Sequence, residues 1–171
     1  MQTLASGISP SKGGRNMPEL CWEGWTPWQS LAQLDLKSVT QNPGAYAISA
    51  GKPISRAIGI DSEGILDIGE SRSLRQRLRA FIRCATRYGD EGHMAGWRFG
   101  FFRYSRHFPF ESLLVRWREA TTKQEAYELE GRMLVDYLHA HGELPPLNYS
   151  FNWSPFRTGG WDLFDRMIGS N

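Results

Sequence analysis

The stretch that decides the fold lies at residues 64–84 and reads GILDIGESRSLRQRLRAFIRC. Its first six residues are mostly apolar and are bounded by glycines, which predicts a strand over residues 64–69. Ser71 is a candidate N-cap, and apolar side chains then recur at helical spacing at Leu74, Leu78 and Phe81. The stretch therefore predicts a strand that leads directly into a helix over residues 71–84.

Two further strands are predicted on either side of this stretch. A turn signal at residues 42–44 precedes a strand at residues 45–49, and residues 112–118 are typical of another strand. Residues 88–96 are typical of a loop, while residues 97–104 are compatible with either a helix or a strand. Strands and helices thus mix along the chain, as in an α/β or α+β fold.

The two ends of the chain are predicted to be additions to a single domain at residues 18–171. Residues 1–17 are rich in Gly and Ser without periodicity, which predicts a flexible terminus. In the Trp-rich extension that follows, Thr26 and Pro27 favour the start of a short helix. Its tryptophans are expected to pack on the body of the domain, with base stacking as the alternative. An aromatic tail closes the chain, and residues 161–168 are predicted to form a docking helix.

Length and composition exclude several classes of protein. The chain has 171 residues, 40% of them hydrophobic and 22% charged, which fits one globular domain. It contains no apolar run long enough to span a membrane and no signal-peptide pattern near the start, so we expect a cytoplasmic protein with no membrane partner. Cys21 and Cys84 form no CxxC motif, which argues against a disulfide scaffold and predicts reduced thiols.

A local excess of arginine indicates a polyanionic partner. Of the 20 basic residues, 16 are Arg, the side chain that binds phosphate in a forked geometry. Four arginines flank the apolar stripe of the first predicted helix and are candidate nucleic-acid contacts: Arg72, Arg75, Arg79 and Arg83. The alternative is that they form an ordinary solvated helix face.

The second predicted helix carries a carboxylate in its apolar stripe. Thr122 begins this helix, which is predicted over residues 122–139 and closed by Gly142. Glu130 falls between Ala126 and Leu134 of the stripe, where a carboxylate costs desolvation free energy unless a partner compensates it.

The first helix and its strand carry comparable anomalies. Arg77 lies within the apolar stripe of the first helix, so Arg77 and Glu130 are predicted either to form a buried ion pair or to face a shared cleft. Asp67 lies in mid-strand, where Asp is rare, and alternation places it on the face of Ile65 and Gly69. Tyr46, in the preceding strand, is a candidate phenol at the same site.

The order of five motifs within residues 43–149 resembles the GIY-YIG nuclease superfamily. The motifs are, in order, Gly44-Ala45-Tyr46, Asp67-Ile68-Gly69, the helix start ESRSLRQRL at residues 70–78, AYELE at residues 126–130, and Pro145-Pro146-Leu147-Asn148. Arg77 and Glu130, already singled out, match the Arg and the Glu of the family's two helix motifs. In its second motif the family usually has Tyr where this chain has Asp67.

The resemblance implies both a fold and an activity. The fold is α+β, a small three-stranded sheet, mixed or antiparallel, flanked by helices. The activity is cleavage of DNA phosphodiester bonds with one divalent cation, Mg²⁺ or Mn²⁺. By resemblance, Tyr46 activates or positions the attacking water, and Arg77 stabilises charge on the phosphate. Glu130 ligates the metal, and Asn148 braces the site through hydrogen bonds.

The departures from the family pattern suggest two more site residues. Asp67 is expected to be a second metal ligand, directly or through water, with pairing to an arginine as the alternative. Many members have a His four residues after the helix Arg, where this chain has Phe81. His93 is expected to supply that proton-handling group, and a solvated loop histidine is the alternative.

Three functions remain open at this point. The first is a DNA endonuclease, which the retention of Tyr46, Arg77 and Glu130 favours. The second is a catalytically impaired nucleic-acid-binding module on the same fold, which the substitution at Asp67 suggests. The third is a nuclease that acts on RNA.

Overall fold

The computed structural model describes residues 20–87 and 92–150. Within them lie six strands, three α-helices and two short 3₁₀ turns. The strands are β1 (Gln29–Ser30), β2 (Gly44–Ser49), β3 (Ile54–Ser55), β4 (Ile60–Asp61), β5 (Ile65–Ser71) and β6 (Leu114–Glu119). The α-helices are α1 (Leu74–Thr86), α2 (Met94–Phe101) and α3 (Lys123–His141), and the 3₁₀ turns are Tyr104–Arg106 and Phe110–Ser112.

The expectation of an α+β fold is confirmed, with one more strand in the main sheet than predicted. That sheet is antiparallel, has four strands in the order β1-β6-β2-β5, and is accompanied by the separate β3-β4 pair. The predicted helix after Thr26 is wrong, because this segment is extended along β6. The Thr26 N–H donates to the carbonyl of Trp117 at 2.9 Å, and the Trp117 N–H donates to Thr26 Oγ1 at 3.1 Å.

The sheet separates two layers of helix, and each layer covers one half of the core. Tyr46 and Ile48 of β2 pack in one buried cluster with Leu78 and Phe81 of α1. The opposite face of the sheet, including Ala47, packs in a second cluster with residues of α3. The alternating side chains of β2 thus serve both halves of the core.

A β-bulge corrects the predicted alternation along β5. The register shifts between Ile48 and Ser49, so that Ile48 pairs with Asp67 while Ser49 pairs with Ile65. Asp67 therefore shares its face with Gly69, as predicted, whereas Ile65 packs on the opposite face with the α3 cluster. The extra residue of a bulge reverses which side chains point to which face, and strict alternation does not anticipate it.

Helix boundaries differ from the prediction at α1 and α2. The N-cap of α1 is Ser73, two residues later than the predicted Ser71. The predicted loop at residues 88–96 is wrong over its last residues, because α2 already begins at Met94. The α3 helix begins after Thr122, whose hydroxyl accepts from the Glu125 N–H, and ends at Gly142 with φ +69°, as its capping residues predict.

The N-terminal extension packs on the sheet through its tryptophans. Trp25 is buried in the α3-side cluster, and the guanidinium of Arg116 lies 4.5 Å from the ring of Trp22 and 4.7 Å from that of Trp28. The carboxylate of Glu63 accepts from the indole N–H of Trp22 at 2.5 Å. The predicted packing of this extension is therefore observed.

Other predictions concern the termini, the thiols and the membrane. The expected flexible residues 1–17 and the docking helix at residues 161–168 lie outside the described part of the chain. Cys21 and Cys84 are both free thiols. Across residues 20–87 and 92–150, no helix combines the length and the apolarity that a transmembrane span requires.

Candidate active site

A cavity of about 680 Å³ lies along β5, between α1, α2 and α3. Because β5 is the edge strand of the sheet, side chains from both faces can reach this cavity. Six residues predicted from the sequence line it: Tyr46, Asp67, Arg77, His93, Glu130 and Asn148. The fold thus brings together residues that are up to about a hundred positions apart in the chain.

A hydrogen-bond chain joins three of these residues. Tyr46 Oη donates to Asp67 Oδ2 at 2.9 Å and lies 3.0 Å from His93 Nε2. His93 Nδ1 accepts from the Gly96 N–H at 3.2 Å, so a neutral imidazole carries its proton on Nε2 and donates it to Tyr46. The tyrosine hydroxyl is therefore directed at Asp67 by the histidine.

The protonation states of this chain follow from burial. The three side chains are 2%, 3% and 4% exposed for Tyr46, Asp67 and His93. Burial, followed by the charge of Asp67, raises the pKa of Tyr46 well above its usual value. Burial and the positive charge of Arg77 lower the pKa of His93 to about 3, while burial raises the pKa of Asp67 to about 6. Near neutral pH, Tyr46 is therefore protonated, His93 neutral and Asp67 mostly ionised.

The position of the Tyr46 phenol depends on a glycine. Gly69 pairs with Tyr46 across the sheet, and a methyl group at position 69 would overlap the phenol ring and its oxygen. Only glycine lets the ring lie across β5 toward the cavity. The close approach of the Tyr46 ring therefore explains why the second motif has a glycine at position 69.

Gly69→Ala tests this dependence. We expect the added methyl group to displace the phenol from Asp67 and His93, and to lower the maximal rate of catalysis at this site about 100-fold. The rate and the midpoint of thermal unfolding measure the two effects. Gly59→Ala is the control, because Gly59 has φ +71° in an open turn, so that this change strains the backbone without touching the cavity. Equal rates for the two variants would contradict the role of Gly69.

Glu130 reaches the cavity from α3 without a partner at contact distance. In the described part of the chain, no hydrogen bond or ion pair within 4.0 Å involves its carboxylate. Burial is the main cause that raises the pKa of Glu130 to about 7, and the charge of Asp67 adds to it. Lys123 and Arg77 act in the opposite direction. Glu130 thus offers two oxygens to a cation entering the cavity.

Arg77 shares the cavity with Glu130 but does not pair with it. Its Nε donates to the carbonyl of Glu70 at 3.3 Å, which anchors the guanidinium to the end of β5. The ion pair between Arg77 and Glu130, one alternative raised by the sequence, is not formed. Both charges therefore face a common cavity.

Asn148 fixes the edge strand that carries Asp67. Its side-chain oxygen accepts from the Ile68 N–H at 3.0 Å, and its amide donates to the Ile68 carbonyl at 2.7 Å. The neighbouring Leu147 N–H donates to the carbonyl of Leu66 at 2.8 Å. This segment thereby satisfies backbone groups that an edge strand would otherwise expose.

Arg98 is a cavity residue that the sequence did not single out. It lies on α2, lines the cavity, and donates from Nη1 to the carbonyl of Leu147 at 2.6 Å. Its guanidinium carbon lies 3.7 Å from the centre of the Tyr149 ring. The ambiguity between helix and strand at residues 97–104 left no way to place this side chain.

The four arginines flanking the α1 stripe divide into two kinds. Arg75 binds the protein itself, because it donates from Nε to the carbonyl of Val39 at 2.8 Å and from Nη2 to that of Lys37 at 3.0 Å. Arg72, Arg79 and Arg83 are exposed. Arg83 also extends toward Gly92, which lines the cavity. Arg75 therefore has a structural role, whereas the side chains of Arg72 and Arg79 are exposed on the surface.

Comparison of the chain with protein-family models, curated proteins and solved structures gave no significant match. In addition, the described residues contain no group of three or more His, Cys, Asp or Glu side chains arranged to hold a metal ion. Asp67 and Glu130 are the cavity carboxylates that could hold a divalent cation, since the Glu70 carboxylate pairs with Lys123.

Proposed function

We propose that this protein is a divalent-metal-dependent endonuclease that hydrolyses phosphodiester bonds in DNA. The observation that carries the proposal is the convergence of Glu130, Arg77 and Tyr46 on one cavity. A carboxylate without a partner suits a hard cation, a guanidinium suits a phosphate, and a phenol suits a water molecule. The order of the GIY-YIG-like motifs supports the same activity.

The residues would divide the reaction as follows. Glu130 holds Mg²⁺ or Mn²⁺, and Asp67 contributes to the same site directly or through water. When bound, the cation supplies a Lewis acid and lowers the pKa of a coordinated water. Arg77 stabilises the negative charge that develops on the phosphate oxygens.

Tyr46 orients the attacking water rather than taking its proton outright. Because its pKa is raised, Tyr46 keeps its own proton at neutral pH. It can accept a proton from the water only if its own hydroxyl proton passes to Asp67. His93 holds the hydroxyl in this orientation, and Asn148 holds the strand that carries Asp67.

A nucleic-acid-binding module without catalysis is the second candidate. Two observations favour it: Asp67 stands where the family usually has Tyr, and the described residues form no multi-ligand metal group. In this case the arginines and the cavity would bind the strand without cleaving it.

The proposal is tested by incubating the protein with plasmid DNA, single-stranded DNA and RNA, each with Mg²⁺, Mn²⁺ or EDTA. We expect DNA cleavage with either metal and none with EDTA. Cleavage of RNA alone would show that the substrate is RNA and not DNA. Binding without cleavage under every metal condition would support the binding module and overturn the nuclease.

Asp67→Asn tests the assignment of Asp67 to the metal. Loss of its charge should move half-maximal cleavage to Mg²⁺ concentrations at least about tenfold higher. Tyr46→Phe is the comparison, since it removes the hydroxyl that Asp67 accepts from but leaves the carboxylate, and should lower the maximal rate at an unchanged midpoint. An unchanged midpoint in Asp67→Asn would show that Asp67 acts through Tyr46 alone.

The exposed Arg72 and Arg79, before and on α1, should contribute to affinity through phosphate contacts. We expect the double change Arg72→Gln and Arg79→Gln to reduce the slope of log affinity against log salt for duplex DNA by about 1 per arginine. Arg75→Gln is the matched control, because its guanidinium binds the protein backbone, and it should leave the slope unchanged. Identical slopes in all variants would show that these arginines form an ordinary solvated helix face.

A further inference from the structure

Exposed apolar side chains adjoin the cavity at both ends of α2 and beyond Asn148, and form a shelf. Met94, Phe102 and Tyr149 are 60%, 49% and 57% exposed, respectively, which is unusual for such side chains. Met94 and Tyr149 line the cavity directly, and the rings of Phe102 and Tyr149 lie 6.4 Å apart at an interplanar angle of 31°. The shelf, defined by these three residues, is thus continuous with the candidate active site.

The shelf is held in place by the residues that build the site. Tyr149 follows Asn148, whose amide is bound to the backbone of β5. Arg98 stacks against the ring of Tyr149 and is itself anchored to the carbonyl of Leu147. Met94 directly follows His93, the N-cap of α2. The ring of Tyr149 is therefore held next to the residues of the cavity.

We infer that this shelf stacks an unpaired DNA base next to the phosphate in the cavity, so that the preferred substrate is single-stranded or locally unpaired. Aromatic side chains bind single strands because the face of every base can stack, whereas in a duplex those faces are covered by neighbouring base pairs. Arg98 and Arg77 provide positive charge beside the shelf for the strand's phosphates. The inference rests on the proposed function, since it assigns the substrate class of the same cavity.

The α2 helix connects the shelf to the hydrogen-bond chain at Tyr46. Met94 and Arg98 are four residues apart on α2, which places them on one side of the helix, and Phe102 directly follows its last residue. His93, at the start of this helix, contacts Tyr46. A strand whose phosphate lies near Tyr46 would thus continue along α2 over the shelf.

The test measures binding without metal, using fluorescently labelled oligothymidine, a blunt duplex of equal length, and the matching RNA strand, all in EDTA. We expect Tyr149→Ala to weaken binding of the single DNA strand about 5- to 150-fold and to change duplex binding less than about twofold. Tyr149→Phe keeps the ring and should retain the affinity. Ile60→Ala, which removes an exposed apolar side chain from β4, is the control and should change neither.

The outcomes separate this inference from the nuclease proposal. Equal loss of single-strand and duplex binding in Tyr149→Ala, or no loss of either, would overturn the shelf. Tighter binding of RNA than of DNA would overturn its assignment to DNA. If the shelf effect is found while Mg²⁺ and Mn²⁺ support no cleavage, the inference stands and the nuclease proposal fails. If duplex plasmid is cleaved while Tyr149→Ala keeps its affinity for the single strand, the inference about the shelf fails and the nuclease proposal stands.

Discussion

Glu130→Gln is expected to lower metal-dependent cleavage at least about 100-fold, more than the loss of an outer partner of a metal site costs. The amide has nearly the shape of the carboxylate but lacks its charge, so it replaces a cation ligand poorly. Because Glu130 makes no ion pair with Arg77, the fold should survive, and the neutral side chain should even stabilise the metal-free protein above pH 7. Single-turnover rates and the thermal unfolding midpoint measure the two effects.

Glu128→Gln on the same helix is the matched control. Glu128 is partly exposed and lies near Arg132, 3.9 Å away, as an ordinary surface pair. We expect its loss to leave cleavage unchanged. Turnover of Glu130→Gln at the rate of this control would remove Glu130 from the metal site, and a large fall in the stability of the variant would return it to a structural role.

Arg77→Ala should produce the second large effect, a loss of about 100- to 1,000-fold in the single-turnover rate at saturating DNA. Its guanidinium, anchored by the hydrogen bond from Nε to the Glu70 carbonyl, places a positive charge in the cavity where negative charge would develop on the phosphate. Arg77→Lys should recover part of the rate, because lysine restores the positive charge but lacks the forked hydrogen-bond donors of the guanidinium.

Arg79→Ala controls for the overall charge of α1. Arg79 lies on the same helix, is exposed and does not line the cavity. We expect it to change affinity at low salt but not the rate at saturation. Arg77→Ala would lose its assigned role if its saturated rate matched that of Arg79→Ala.

The parts of the fold that the sequence predicted are those with a long local signal. The stripe of α3 and its caps at Thr122 and Gly142 defined that helix closely. By contrast, β1 has two residues and α2 has eight, and so short a segment shows no decisive periodicity. The bulge in β5 depends on its pairing with β2, so it could not be predicted from the sequence of β5 alone.

The site was predictable where a polar residue interrupts an apolar pattern. Arg77, Glu130 and Asp67 each break such a pattern, and all three line the cavity. His93 gave a weaker signal, because its burial and its contact with Tyr46 arise from the packing of α2 on α1. Arg98 gave none, since its role comes from contacts with Leu147 and Tyr149 in a distant segment.

The assignment of a divalent cation to Glu130 is tested most directly by titrating Mn²⁺ into the purified protein and following free Mn²⁺ by electron paramagnetic resonance. We predict one bound ion per chain in the wild type and its loss in Glu130→Gln. Because the pKa of Glu130 is raised to about 7, protons compete for the carboxylate, and binding at pH 6 should be about tenfold weaker than at pH 8. Equal binding by the wild type and by Glu130→Gln at both pH values would contradict the assignment.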